Sequence, residues 1–393
     1  MRRAIALAVL LSGCPGEETL EPTLGTPRFV IPGMDLPAEL PTGASNNNVS
    51  IALHDGLLFL GWRTAPTHFA SGESRMHVMS SPDLGETWSF EATWALDADV
   101  REPLLVSHGG RLFFSFFEAG TNVAAFEPHA VWRTERRGVA DWADVTEWGE
   151  LGEVPWEVRV RDGEAFMTSY FGTHYDFDAP ESEVEVRFHR SDDAWTWEPA
   201  SGTDDAQVYF GGASEAAFGW DDEGTLWSIL RNEDGDDSGF GSLLCSAPAG
   251  DWAAWECPTT SDPERYDSPR MFEYGGDVWL VARRDVGGPY DQSTAADLAD
   301  RRWDNLTAYS GRPKRTALYR IDRELSAVEH VFDLPSAGDT AFPSIVQLDE
   351  HRFLVANYTS PPDDPDRTWL QGQGAEDGTQ IYLQEIRFEA ARD

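Results

Sequence analysis

The sequence predicts an all-β fold, a six-bladed β-propeller with four antiparallel strands per blade, and three observations lead to it. One design recurs six times: an apolar run, a tight turn usually ending in Gly, and a second apolar run, as in NVSIALHDGLLFLGWR, EPLLVSHGGRLFFSFF and SPRMFEYGGDVWLVAR. Asp-Gly and Gly-Gly between β-rich runs are strong hairpin signals. The second turn residue is Gly56, Gly110, Gly163, Gly224, Gly276 and His351, at intervals of 54, 53, 61, 52 and 75 residues. Each interval leaves room for two strands beyond the hairpin, which is propeller arithmetic. Finally, no long stretch carries a helical period, and the 35 Gly and 24 Pro fall largely between short β-rich runs. Two β-sandwich domains are the competing all-β arrangement.

The chain opens with MRRAIALAVLLSGC, in which Arg2 and Arg3 precede an apolar run too short to span a bilayer. Residues 1–13 read as a signal peptide. Leu11-Ser12-Gly13-Cys14 resembles the lipobox of bacterial lipoproteins, which implies lipidation at Cys14 and an exported protein held at the cell envelope. Residues 14–27, rich in Pro, Glu and Thr, are expected to be a tether, and 28–393 the propeller. No later segment approaches the roughly 18 apolar residues of a spanning helix, so membrane contact is expected only through the anchor. Export allows Cys245 and Cys257 to pair across a turn in LLCSAPAGDWAAWEC, or they stay as buried thiols; a disulfide is expected.

Ser81-Pro82-Asp83-Leu84-Gly85-Glu86-Thr87-Trp88 fits the Asp-box pattern S-x-D-x-G-x-T-W. In that turn Asp83 accepts backbone hydrogen bonds, Gly85 permits positive φ and Trp88 packs into the blade, so Asp83 is read as structural, with Ser81 as its partner. SDDAWTW, from Ser191 to Trp197, is a weaker echo. The Asp box occurs in several propeller families, sialidases among them.

Further segments make the resemblance to sialidases more particular. Glu215 opens an inner strand and Arg231 closes the next, sixteen residues later. In sialidases a glutamate so placed activates a tyrosine nucleophile, and the arginine is one of three that clamp the substrate carboxylate. Arg315-Thr316-Ala317-Leu318 resembles the segment with the third arginine, and Gly338-Asp339-Thr340-Ala341-Phe342 the segment with the nucleophile. The sequence departs from that pattern as well. Phe342 stands at the tyrosine position, Asn47-Asn48-Val49-Ser50 replaces the segment bearing the first arginine, and the acid/base loop offers only Glu73, near His68.

Strand direction gives an independent expectation. A hairpin brings the start of its first strand and the end of its second to one edge, so one rim should gather Arg63, Tyr170, Arg231, Arg283 and Tyr358 with Arg101, Glu102, Glu215 and Asp267. Arginines, carboxylates and aromatics together suit a carbohydrate. The expectation is an exo-sialidase-like glycosidase acting on acidic glycans. Glu215 and Tyr358 are its catalytic candidates, with Tyr290 as a second possible nucleophile and Glu118 or Asp285 as further acids. Arg231, Arg315, Arg63, Arg101, Glu102, Arg283, Asp267 and Tyr170 would bind substrate. The alternative is a non-catalytic propeller that binds glycans or a protein. A net charge of -39, from 30 basic and 69 acidic residues with Lys314 the only lysine, excludes nucleic acid as a partner. Asn232–Asp237 has poor spacing for calcium and reads as a solvated acidic loop. No metal or cofactor is expected, and a monomer is.

Overall fold

The computed structural model describes residues 20–33, 36–123, 127–174, 179 and 181–390. Residues 1–13, expected to be a signal peptide, and Cys14 lie outside them. The described residues form six antiparallel sheets in chain order, the blades of a propeller. Blade 1 runs through Ser45–His54, Leu57–Ala65, Arg75–Ser81 and Ser89–Trp94, and its first hairpin turns at the predicted Asp55-Gly56. Both turn residues have positive φ, 48° and 76°, as do Gly109-Gly110, Asp162-Gly163 and Gly275-Gly276. Such turns match the right-handed twist of the strands they join. Blades 2, 3 and 5 begin with the hairpins Asp99–His108/Arg111–Ala119, Val154–Arg161/Glu164–Gly172 and Tyr266–Tyr274/Asp277–Asp285.

Three features differ from the expected pattern. Residues 20–24 of the stretch expected to be a tether form a strand that pairs in register with the last strand, Gln380–Ala390, from Leu20 opposite Ala390 to Leu24 opposite Ile386. This closes the ring, because the outermost strand of blade 6 comes from the chain's other end and covers an edge that would otherwise be open. Blade 4 has three strands, Ala216–Trp220, Leu226–Leu230 and Leu243–Ala247. Its fourth is reduced to a bridge between Ser246 and Glu256, beside which Cys245 and Cys257 are disulfide-bonded. Finally, the 75-residue interval is filled by the helix Leu298–Ser310, inserted between the second and third strands of blade 5.

In the Asp-box segment the Ser81 hydroxyl accepts from Gly85 N (2.6 Å), while Asp83 accepts from Thr87 N (2.8 Å) and Thr87 Oγ1 (2.7 Å). These hydrogen bonds pull the Asp83 carboxyl down to about 2. Gly85 has φ 94°, and a Cβ there would stand 2.6 Å from Leu383 and 2.9 Å from the Trp88 ring, so no other residue fits. Trp88 packs against the main core. Asp193 repeats the arrangement in blade 3, accepting from Trp195 N (2.8 Å) and Thr196 N (2.6 Å).

Candidate active site

The inner strands do not start as plain β-structure. Their register shifts between Asn47 and Val49, Arg101 and Leu104, Pro155 and Glu157, and Asp267 and Arg270. Asn48, Glu102 and Ser268 sit in these bulges with φ of 47°, 53° and 47°. A left-handed non-glycine residue costs about 1 kcal/mol or more. Here it turns a side chain out of the blade, and all three residues line one cavity of about 570 Å³. Arg101, Tyr170, Glu215, Arg231, Arg283 and Tyr358 line it as well. The rim deduced from strand direction therefore converges.

Glu215 and Arg231 face each other across the blade 4 hairpin, whose next register pair is Ala216 with Leu230. The Arg231 Nη1 donates to Glu215 Oε1 at 2.5 Å, and Ser268 N donates to Oε2 at 2.8 Å. Behind them lies a buried ionic lattice. Arg231 also contacts Glu233 (2.6 Å) and Asp267 (3.2 Å), Arg265 bonds both of those acids, and Arg283 reaches Asp267 at 3.7 Å. Glu233 and Asp234 are buried, so the loop expected to be solvated is part of this lattice.

Glu102 has different surroundings. Its Oε2 and Asn48 Oδ1 are buried with no hydrogen-bond partner among the described residues. Burial, and next the negative charge of Glu215, push the Glu102 carboxyl up to about 8. At neutral pH it carries its proton. Under the cavity, the Arg270 guanidinium lies 4.4 Å from the Trp156 ring centre and 5.1 Å from that of Phe342, and so fixes the floor.

Tyr358 is buried and its hydroxyl donates to Asp339 Oδ1 at 3.1 Å, while Asp339 Oδ2 meets His68 Nδ1 at 2.7 Å. Burial, then Asp339, push the phenol well above its ordinary value. A nucleophilic tyrosine needs the opposite shift. Tyr358 is therefore not expected to be a nucleophile, and Tyr358→Phe should lower any glycoside turnover by less than tenfold. A loss of a thousandfold or more in a steady-state assay would restore it as the nucleophile.

Several residues expected to touch substrate do not reach the cavity. Arg63 is fully buried, holding Asp99 at 2.6 Å and the carbonyl of Phe69 at 3.1 Å. Asp267 is enclosed by its three arginines and has no exposed surface. Arg315 lies on the third strand of blade 5 between Lys314 and Thr316, whose side chains are buried. Strand alternation turns Arg315 the other way, onto the carbonyls of Lys314 and Pro365. Of the other acids and the second tyrosine, Glu118 accepts from Trp132 Nε1, Asp285 is held by Arg312 and Lys314, and Tyr290 packs on Arg265. Glu73 is exposed outside the cavity, whereas His68 lines it.

The fold so assembled is similar to that of a Dyadobacter fermentans protein of unknown function, at 13% identity and a TM-score of 0.57 over 88% of this chain and 95% of that one. It is similar also to a mutant of Trypanosoma rangeli sialidase displaying trans-sialidase activity (14%, 0.53, 87% of this chain and 54% of that one). A third similar structure is Penicillium chrysogenum alpha-L-arabinanase complexed with arabinobiose (11%, 0.51, 92% and 98%). The chain thus spans about half the length of the sialidase and nearly all of the other two. No family model matches the chain. None of the curated proteins matches it. At such identities the likeness establishes the fold: a six-bladed propeller shared with sialidases and an arabinanase.

Other residues of the cavity escaped sequence reasoning. His174 lines it from the loop after blade 3's first hairpin. Trp303 and Leu306 come from the inserted helix, and Trp369 from the short helix Trp369–Gln373 in blade 6. The helix signal was available, since Arg302, Asn305 and Tyr309 form its buried face at helical spacing and Asp297 caps it, accepting from Ala299 N and Asp300 N.

Proposed function

We propose that this protein is a glycoside hydrolase that works with two carboxyls, Glu102 as general acid and Glu215 as base or nucleophile, instead of a tyrosine. One observation carries this reading: a single cavity holds a proton-bearing carboxyl with no ion pair among the described residues and a carboxyl group hydrogen-bonded by Arg231. Glycosidases need such a pair flanking the scissile bond, and a carboxyl whose surroundings keep its proton suits the part of the acid. The absence of an oxygen at Phe342 then removes nothing from the chemistry. The sialidase and arabinanase among the structural neighbours support the reaction class.

In this reading Glu102 donates its proton to the leaving glycosidic oxygen, and Glu215 acts from the other face of the sugar. Arg231 and Ser268 N hold the Glu215 carboxylate in one orientation. Glu215→Gln should reduce turnover by about 10²–10⁴-fold without loss of the fold, read by assay of a glycoside panel and by far-UV circular dichroism. Unchanged activity in this variant sinks the assignment. Glycan binding with no turnover in the wild type would favour the non-catalytic propeller.

The reading extends to location. Cys14 is the proposed lipid attachment site of an exported protein, and the Cys245–Cys257 disulfide supports an oxidising compartment. Mass spectrometry of the mature chain should find its first residue to be an acylated Cys14; an unmodified N-terminus at another residue would refute this.

A further inference from the structure

We infer that the sugar taken by this cavity is uncharged, and that carboxylated sugars are rejected. The inference rests on the cavity being a glycan site, the reading proposed above, but not on turnover. Three arginines line the cavity, and in a sequence they suggest a carboxylate clamp. In the folded protein each already serves one of the protein's own acids. Arg101 Nε donates to Asp99 at 2.5 Å, and Asp99 is shared with Arg63. Arg231 is bonded to Glu215, Glu233 and Asp267. Arg283 contacts Asp267 and donates to the carbonyls of Thr340 (2.7 Å) and Ala341 (3.2 Å).

An incoming carboxylate would have to divide these guanidiniums with carboxylates fixed behind them. Desolvating an anion that lacks a cation of its own is costly. Even with Glu102 protonated, the lining sets Asp99, Glu127 and Glu215 against those three arginines, so these groups bring no surplus of positive charge. Neither does His68, whose imidazole burial lowers despite the pull of Asp339. The field of the whole chain, at -39, opposes an anion further.

What the cavity does offer suits hydroxyls and C–H faces. Asn48 Oδ1 and Glu102 Oε2 are buried polar atoms without partners among the described residues, ready for hydroxyl donors. At the mouth Trp303 is 62% exposed, and Trp369 and Phe69 add apolar wall. Aromatic faces of this kind stack on the apolar side of a neutral pyranose or furanose.

The test is a glycan array in which each neutral oligosaccharide is matched by its sialylated or uronate-capped counterpart, probed with the Glu102→Gln protein to prevent turnover. The neutral member should bind at least tenfold more tightly. Equal or tighter binding of the carboxylated members, or binding of no neutral glycan, would overturn the inference. Asp99→Asn removes one of the competing carboxylates and should narrow the gap. If that buried variant fails to fold, Glu127→Gln at the exposed rim should narrow it to a smaller extent. A gap unchanged in every folded variant tells against the charge argument. Hydrolysis by wild type is measured separately, so neutral binding without turnover would defeat the hydrolase reading and leave this one standing.

Discussion

Replacing Glu102 with glutamine is expected to reduce turnover of glycosides with poor leaving groups by about 10²–10⁴-fold. Activated aryl glycosides, whose leaving group needs no proton, should lose far less. The expectation follows from where the blade 2 bulge puts the carboxyl: half-buried at the cavity wall and beside Glu215, so that burial and this negative charge outweigh the pull of Arg101 and Arg270. Its value of about 8 fixes the sign of the pH effect. The working form is protonated, so wild-type activity should fall as pH rises through about 8, and Glu102→Gln should lack that basic limb. Stability shifts in the same window. A carboxyl raised from 4.5 in the unfolded chain to about 8 in the fold stabilises fully only below the lower value, and loses that contribution as pH rises through the upper one. In urea titrations at pH 6 and pH 9 the variant should therefore gain relative to wild type at the higher pH. A basic limb that survives in the variant would mean that another group is the acid.

The second large effect is on stability. Asp267→Ala should destabilise the protein by about 3–5 kcal/mol, the range for removing one partner of a buried ion pair. Burial alone would raise the Asp267 carboxyl, but Arg231, Arg265 and Arg283 outweigh it and hold the group well below the usual range. Without it, among the described residues Arg231 is left with Glu215 and Glu233, and Arg265 shares Glu233. Arg231 would then settle differently and take Glu215 with it, so glycan affinity should fall as well. Urea unfolding gives the first quantity and calorimetric titration the second. A loss below about 1 kcal/mol would show that the lattice is not stabilised through Asp267.

The hairpins, the blade count and the Ser81–Asp83 turn could be read from sequence because each is fixed by neighbours in the chain. A turn residue takes positive φ or does not, and alternation sets which side chains share a face. The Glu215–Arg231 pair was legible for the same reason: sixteen residues around a hairpin put two strand ends opposite each other. Arg315 marks where such reading stops, because its strand was correct and its face was not. For Arg63 and Asp267 the rim was correct, yet the structure encloses them among partners from other segments.

Glu102 shows the difference most clearly. Its position at the start of an inner strand follows from the repeat. Its acidity depends on a bulge in blade 2, on Glu215 in blade 4 and on the burial that neighbouring blades impose. The same holds for the arginines, whose presence on one rim is local information while their commitment to buried carboxylates is not. Sequence by itself determined the propeller and the rim that carries the site, since turns and alternation are short-range. Only the tertiary structure decided which acid keeps its proton and which cations are already neutralised, because burial and Coulomb interaction depend on distances that no spacing along the chain records.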